Sequence, residues 1–463
     1  MEVVAQAPQP TIKCFHSFKD NKATQELYQK FTPSSSDVSG KNLQSYNFER
    51  SLENFGGSFS FTIKEDTEHL NDEPFMDKVQ PLDVIVISES GYEEKADFIG
   101  VVTTISVGSI ASNLNKVVTV SGKSIEWLFS FYNINCDIKC TIFNNDEANK
   151  MFKADLANKD GEEGISIKDI VVASIDTFRT QVSKIDGGGS SVISNFLIGD
   201  LIDTWFKDDY IEASKDKFAY PISSNMFDSG HINVIDYLKK LLPSPIYEIF
   251  SYIDDKGNPK LVFRMVPYDN PKAAYTINPT HLTDYTLTRN CEEVYTAFMT
   301  YIEGTDLSPD FYMNLATVEE EKLKGYNFSQ PSKEKAAKYG YQLLTCSFVG
   351  YNDDPKAASD NQKIQEMNED LERWFSKLDE MYNGDFTLVN YINEKNGDET
   401  IKKAKIGDWL SFAKGLYYVV SEKHSWSYGD NPMINYQVTR GGEYSGNDFK
   451  PVQKLSAIYK ELE

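Results

Sequence analysis

Tyr46-Asn-Phe-Glu-Arg-Ser-Leu-Glu-Asn-Phe-Gly-Gly-Ser-Phe-Ser-Phe-Thr-Ile63 is the stretch whose reading decides the fold. Phe59, Phe61 and Ile63 alternate with Ser58, Ser60 and Thr62. A period of two puts three large apolar groups on one face of a strand and small polar groups on the other. Gly56-Gly57 marks the turn in front of it. Further out, Asp83-Val-Ile-Val-Ile-Ser88 and Asp97-Phe-Ile-Gly-Val-Val-Thr-Thr-Ile-Ser106 read as strands joined by a loop containing Ser90-Gly91. Lys116-Val-Val-Thr-Val-Ser121 follows the polar Ser112-Asn-Leu-Asn115 as another. Short strands at this spacing, with no long helix between them, predict an antiparallel barrel or sandwich over about residues 41–125.

Beyond it the period changes. Ser166-x-x-Asp169 resembles a capping box, and Ile167, Val171, Ile175, Phe178, Val182 and Ile185 follow at helical spacing until Gly187-Gly-Gly189. Ile193, Leu197, Leu201 and Trp205 predict a second helix. A third starts at Asn233 as N-cap, runs through Val234, Leu238 and Leu241, and stops at Pro243. Strands resume with the hairpin Ile246–Ile253 and Lys260–Val266, where Gly257 supplies the positive φ of the turn. Glu293–Tyr301 reads as a strand, and the charged stretch Glu319–Lys338 as an exposed helix or loop. After Pro355, Ile364, Met367, Leu371, Trp374, Leu378 and Met381 predict a long helix stopped by Gly384. Asp385–Val389, Asp408–Phe412, Gly415–Val420 and Ile434–Arg440 then alternate as half-buried strands, and Ser445–Glu463 is polar and charged. The fold class is therefore mainly β (α+β).

Composition excludes several functions. The 463 residues carry 47 Lys and Arg against 70 Asp and Glu, a net charge of −23, which opposes sequence-independent binding to a polyphosphate. Aromatic residues at 13% argue against disorder and for sheets. Cys14, Cys136, Cys140, Cys291 and Cys346 are odd in number and scattered, which speaks for free thiols made in a reducing compartment. The start, Met1–Lys13, lacks the basic and apolar regions of a signal peptide, and no stretch of about 18 apolar residues occurs, so no membrane span is expected.

The search for chemistry finds no site. There is no G-x-G-x-x-G, phosphate loop, H-E-x-x-H, G-x-S-x-G or EF-hand pattern. His16, His69, His231, His281 and His424 lie far apart, and Cys136-x-x-x-Cys140 lacks a second pair at zinc spacing. Asp208-Asp209, Asp254-Asp255 and Asp353-Asp354 sit in turn-like contexts, where aspartate bonds its own backbone. Tyr417-Tyr418 reads as a sheet pair facing opposite sides. Catalytic, cofactor-binding and metal-binding residues are accordingly expected to be none.

Four segments in succession resemble the central baseplate hub proteins of contractile phage tails and related injection systems, the T4-type hub family. They are Tyr46–Ile63; Phe98–Val102 with Val118–Ser124 and Ile125–Leu128; Asn233–Leu242 leading into Tyr247–Ile249 and Leu261–Pro267; and Ile406–Leu410 with Gly415–Val420, His424 and Val438–Arg440. The resemblance implies two tail-tube-like antiparallel β-barrel domains with helical linking and peripheral segments. Residues 1–140 would form the first barrel and 141–245 a helical linker. Residues 246–349 and 385–445 would form the second barrel, 350–384 a helical insertion and 446–463 a tail.

It further implies a non-enzymatic homotrimer in the virion tail baseplate, assembled in the host cytoplasm. Its pseudo-hexameric ring would join a sixfold tail tube protein to a threefold central spike protein, contact other baseplate proteins and let DNA pass without stable nucleic-acid binding. From the net charge, carboxylates are expected to line the lumen. Two other readings stay open at this stage: a tail-tip protein of a non-contractile phage, and a polysaccharide-active wall-degrading enzyme.

Overall fold

In the computed structural model, residues 10–33, 41–65, 74–89, 95–109, 116–131, 133–134, 166–183, 197–207, 209–215, 232–303, 327–349, 362–390, 395–396, 399–400 and 403–451 are described. The chain opens with β1 (Thr11–Lys19), β2 (Lys22–Phe31), β3 (Lys41–Ser51), β4 (Ser58–Glu65), the short helix α1 (Phe75–Lys78), β5 (Val84–Ser88), β6 (Phe98–Ser109) and β7 (Lys116–Ser124). Their hydrogen-bonded order is β3-β4-β7-β6-β5-β1-β2, all antiparallel. β2 and β3 approach within 8 Å without pairing, so this lobe is a barrel left open at one seam.

The alternation read in the sequence holds. Phe59, Phe61 and Ile63 point into one core with Leu43, Tyr46 and Phe48, and Phe75 of α1 meets Phe31 there edge-on at 4.9 Å. The unbroken apolar run Val84–Ile87 has a separate cause. Ile85 and Ile87 face the barrel core, whereas Val84 and Val86 face a second core built with the helices. A strand covered on both faces needs no polar side.

That second core takes in residues of α2 (Leu128–Phe131), α3 (Ile167–Ser183), α4 (Leu197–Trp205), β9 (Ile211–Ala213), α5 (Val234–Leu241), β11 (Tyr247–Ile253) and β12 (Pro259–Met265), and beside it β8 (Asn133–Ile134) pairs with β10 (Ile232–Asn233). Both caps form as the sequence dictates. Ser166 Oγ accepts from the Asp169 N–H at 3.1 Å, and Asn233 Oδ1 accepts from the Asp236 N–H at 2.8 Å. The hairpin also forms, with Gly257 at φ 81° and Asp254 Oδ1 accepting from the N–H groups of Lys256 and Asn258. Its β12 pairs in parallel with β9, giving a three-stranded sheet apart from the large one. Ile249 and Phe263 face the helices, while Phe250 and Val262 pack on Ile406.

The remainder comprises β13 (Ala273–Thr276), β14 (Leu282–Thr288), β15 (Ala297–Glu303), β16 (Asn327–Ser329), α6 (Lys333–Tyr339), β17 (Leu343–Val349), α7 (Gln362–Phe375) and β18 (Tyr382–Val389). After these come the two-residue β19 (Lys395–Asn396) and β20 (Glu399–Thr400), then β21 (Trp409–Phe412), β22 (Gly415–Ser427), β23 (Met433–Ser445) and β24 (Asp448–Lys450). β16-β15-β17 form a small sheet that contacts α7. The second lobe pairs in the order β14-β18-β23-β22-β21-β13 around Phe386, Leu410, Tyr417, Val419, Ile434 and Tyr436. Tyr417 enters this core and Tyr418 points the other way, toward Glu248. The fold is mainly β, with large antiparallel sheets.

Some expectations need correction. α7 ends at Phe375, and Gly384 stops no helix: it lies inside β18, where a Cβ would stand 1.8 Å from the Thr286 carbonyl oxygen of β14. The strand expected from Glu293 starts at Ala297. β1, β2, β13, β14 and β17 had no counterpart in the sequence reading. Within the charged stretch, Asn327–Ser329 is a strand and Lys333–Tyr339 a helix without a buried residue. Ile185, Gly187–Gly189 and Ile193 lie outside the described residues.

Glycine use within β6 and β7 gives a test. A Cβ at Gly122 would lie 1.9 Å from the Val101 carbonyl oxygen and 2.7 Å from the Phe59 ring, whereas at Gly108 nothing lies within 4 Å. Gly122→Ala should cost about 2–3 kcal/mol and Gly108→Ala less than about 0.5 kcal/mol, read from urea unfolding midpoints. Equal losses would contradict the packing described.

Candidate functional site

The two lobes meet where one strand changes partner. The first part of β22 pairs with β21, and its second part, Ser421–Ser427, pairs antiparallel with Ser51–Ser45 of β3 across seven residue pairs. Alternation along Ser421-Glu-Lys-His-Ser-Trp-Ser427 puts Glu422, His424 and Trp426 on the core face and Ser421, Lys423, Ser425 and Ser427 on the other. On the core face Glu422 lies opposite Arg50, His424 stacks on Phe48 at 4.4 Å, and Trp426 stacks on Tyr46 at 5.9 Å.

Polar groups on an apolar face must find partners, because an unpaired buried charge is costly. Glu89, at the end of β5, supplies most of them. Its Oε2 lies 2.9 Å from His424 Nδ1 and accepts from Asn390 Nδ2 at 2.6 Å, while its Oε1 accepts from the Tyr46 hydroxyl at 2.9 Å. Lys403 Nζ donates to Asn390 Oδ1, and the Glu89 N–H donates to Asp97 Oδ2 at 2.6 Å. Arg50 donates to Glu422 Oε1 and to the Asp97 carbonyl, both at 3.3 Å, with its guanidinium 4.6 Å from the Phe98 ring centre.

Burial by itself lowers the His424 pKa. The charge and hydrogen bond of Glu89, reinforced by Glu422 and Asp97, outweigh it and raise the value. Burial raises that of Glu89, but His424, Lys403 and Tyr46 bring it below the ordinary carboxylate range. Asp97 is pushed up to about 6, by burial first and then by the charge of Glu89.

The seam completes a larger surface. Through it, β14-β18-β23-β22-β3-β4-β7-β6 form one run of eight strands, four from each lobe, in which every neighbouring pair is antiparallel. One face is the two cores. The other is mostly polar, with Val117, Val389 and Met433 as apolar members among the described residues. Ser425, Asn47, Ser60, Ser121 and Thr104 lie side by side across five strands. Beside them run Ser427, Ser45, Thr62, Thr119 and Ser106, with the Thr62 and Thr119 hydroxyls 3.2 Å apart. Among the described residues the charges on this face are Glu49, Asp284 and Asp385 against Lys64, Lys123 and Lys423.

Both ends of the run are open among the described residues. β14 pairs only with β18, and β6 is covered by β5 only over Phe98–Val101, leaving Thr103–Ser109, which contains no charged residue and in which Val107 is 51% exposed.

None of the groups named in the sequence converges on a reaction centre among the described residues. Cys14 and Cys346 are buried and Cys291 exposed. His16 stacks on Tyr28 at 3.9 Å and faces Asp83 at 3.5 Å. Asp254 holds its own turn, and Asp209 pairs with Lys260 at 3.0 Å. No group of three or more His, Cys, Asp or Glu residues able to hold a metal occurs among the described residues. Cys136, Cys140, His69, His231, Asp208 and Asp353-Asp354 lie outside them. The Glu89–His424–Asn390 network escaped the sequence reading. Its signal was Glu422 and His424 on the face that Trp426 marks as apolar.

No protein-family model matches the sequence, and no curated protein matches it. Among solved structures the chain is similar to the 43 kDa tail protein of prophage MuSo2 from Shewanella oneidensis, at 10% identity and TM-score 0.48, over 93% of this chain and 98% of that one. It is also similar to a tail protein from Neisseria meningitidis MC58, at 9% identity and TM-score 0.49, over 94% and 97%. A third is the Escherichia coli c3393 protein, a type VI secretion component described as structurally similar to the T4 tail proteins gp27 and gp5, at 8% identity and TM-score 0.38, over 90% and 78%.

The seam carries a pH dependence with a definite sign. A raised pKa in folded His424 means stabilisation that is complete below the unfolded value of about 6.5 and is lost as pH rises through the folded value. Asp97, also raised, removes stability as pH rises from roughly 4 to 6 and that penalty then stays constant at higher pH, while the lowered Glu89 loses its contribution only as pH falls through its folded-state value, below about 4.5. His424→Gln should therefore cost about 3 kcal/mol at pH 6 and clearly less at pH 9 in urea titrations. A cost independent of pH would show that the pair is not ionic.

Proposed function

We propose that this chain is a structural hub protein of a contractile phage tail or related injection system. In this reading it forms a trimeric ring between the tail tube and the central spike, within the baseplate, and leaves a channel through which DNA passes. The observation that carries the reading is the eight-stranded run with two open ends. Four strands come from each lobe, so three copies would supply six four-stranded units to one ring. That matches a sixfold partner on one side and a threefold partner on the other.

Because the run has an even number of antiparallel strands, β6 of one copy would meet β14 of the next in antiparallel sense, continuing the ladder. Head-to-tail contacts of this kind close into rings, and closure removes the hazard of open edges. The partners expected on this reading are the chain itself, a tube protein, a spike protein and other baseplate proteins, with no catalysis by the chain.

A charge placed on an edge strand blocks pairing. Val107→Lys should leave the fold intact by circular dichroism and convert trimers to monomers in size-exclusion chromatography with light scattering. Tyr428→Ser, at another exposed position, should leave trimers intact. A wild-type protein that stays monomeric at high micromolar concentration, with tube or spike protein added, would sink the proposal.

A further inference from the structure

Resting on the ring reading, we infer that the polar face of the eight-stranded run is the channel wall, and that it is a charge-compensated, hydroxyl-lined surface on which a polyanion such as duplex DNA finds no hold. The placement follows from size. Twenty-four strands at a spacing of about 4.8 Å give a circumference of roughly 115 Å and a bore of roughly 37 Å between backbones, widened by strand tilt. Three copies of the two hydrophobic cores cannot fit inside such a bore, so the cores lie outside and the opposite face lines it.

The chemistry follows from the registers. Across β22, β3, β4, β7 and β6 two adjacent ladders are serine, threonine and asparagine, side chains that hydrogen-bond but carry no net charge. The three carboxylates on the face are matched in number by three lysines, and Lys423 lies directly opposite Glu49. Among the described residues this face therefore carries none of the chain's negative surplus. A wall lined with carboxylates, expected from the net charge, is not what the registers provide. An excess of negative charge would raise a barrier to DNA entry, and an excess of positive charge would trap DNA by counterion release. A neutral wall does neither.

The test adds one positive charge per copy inside or outside the ring. Ser60→Arg and, independently, Ser121→Arg put three arginines on the wall of a trimer, while Ala337→Arg puts three on the exposed α6. Binding of a fluorescent linear DNA duplex is followed by anisotropy between 50 and 200 mM salt, with light scattering on the same samples. Wild-type and Ala337→Arg trimers should not retain DNA. The two wall variants should bind it with an affinity that falls about fortyfold across that salt range, the slope expected for three phosphate contacts. Intact trimers in which the wild type binds as tightly as Ser60→Arg, or in which both wall variants fail to bind, overturn the wall assignment alone. Wild-type protein without trimers overturns the ring reading, and the wall assignment with it.

Discussion

The ladder between β22 and β3 is the constraint on which the rest depends. Each lobe has its own core, yet Trp426 of β22 is buried in the core of the amino-terminal lobe. The register of this ladder is strongly specified. A slip of one residue would turn Glu422, His424 and Trp426 to solvent and drive Ser421, Lys423 and Ser425 into the core. Arg50 opposite Glu422 and Glu89 beside His424 strengthen that choice, since in any other register these buried charges would lose their partners.

Behind the sheet, the separate hairpin β11–β12 braces the second lobe. Arg264 Nε donates to Glu248 Oε1 at 2.6 Å and its Nη2 to the Gly407 carbonyl at 2.6 Å, while the Tyr418 hydroxyl donates to Glu248 Oε2 at 2.6 Å. Burial raises the Glu248 pKa despite the arginine beside it. Further along, the Arg440 guanidinium lies 3.6 Å from the Tyr268 ring centre and 4.5 Å from that of Phe375, and donates to the Trp374 carbonyl. These contacts fix α7 and the hairpin against the lobe.

What was legible in the sequence was local. Period-two alternation found β4, β7 and β18, and short-range hydrogen bonding found the caps Ser166 and Asn233 and the turn at Asp254. What was hidden depended on distant partners. β2 is largely exposed, so its residues show no apolar alternation to read. Gly384 resembled a helix stop because its true neighbour, Thr286, lies about a hundred positions earlier and cannot be inferred from spacing. The hub resemblance rested on the order of strand and turn motifs, and those motifs now fall on both lobes and the brace. The polar wall, by contrast, comes into view only when five strands are set side by side.

The same ladder has a consequence in time. Its two halves, around Ser51 and Ser421, are separated by most of the chain. At ribosomal rates of about 5–20 residues per second, β3 waits roughly 20–75 s after its own synthesis before its partner strand exists. During that interval the nascent amino-terminal lobe carries an unpaired edge on β3, beside Tyr46 and Phe48. Two ribosomes working close together on one message would present such edges to one another.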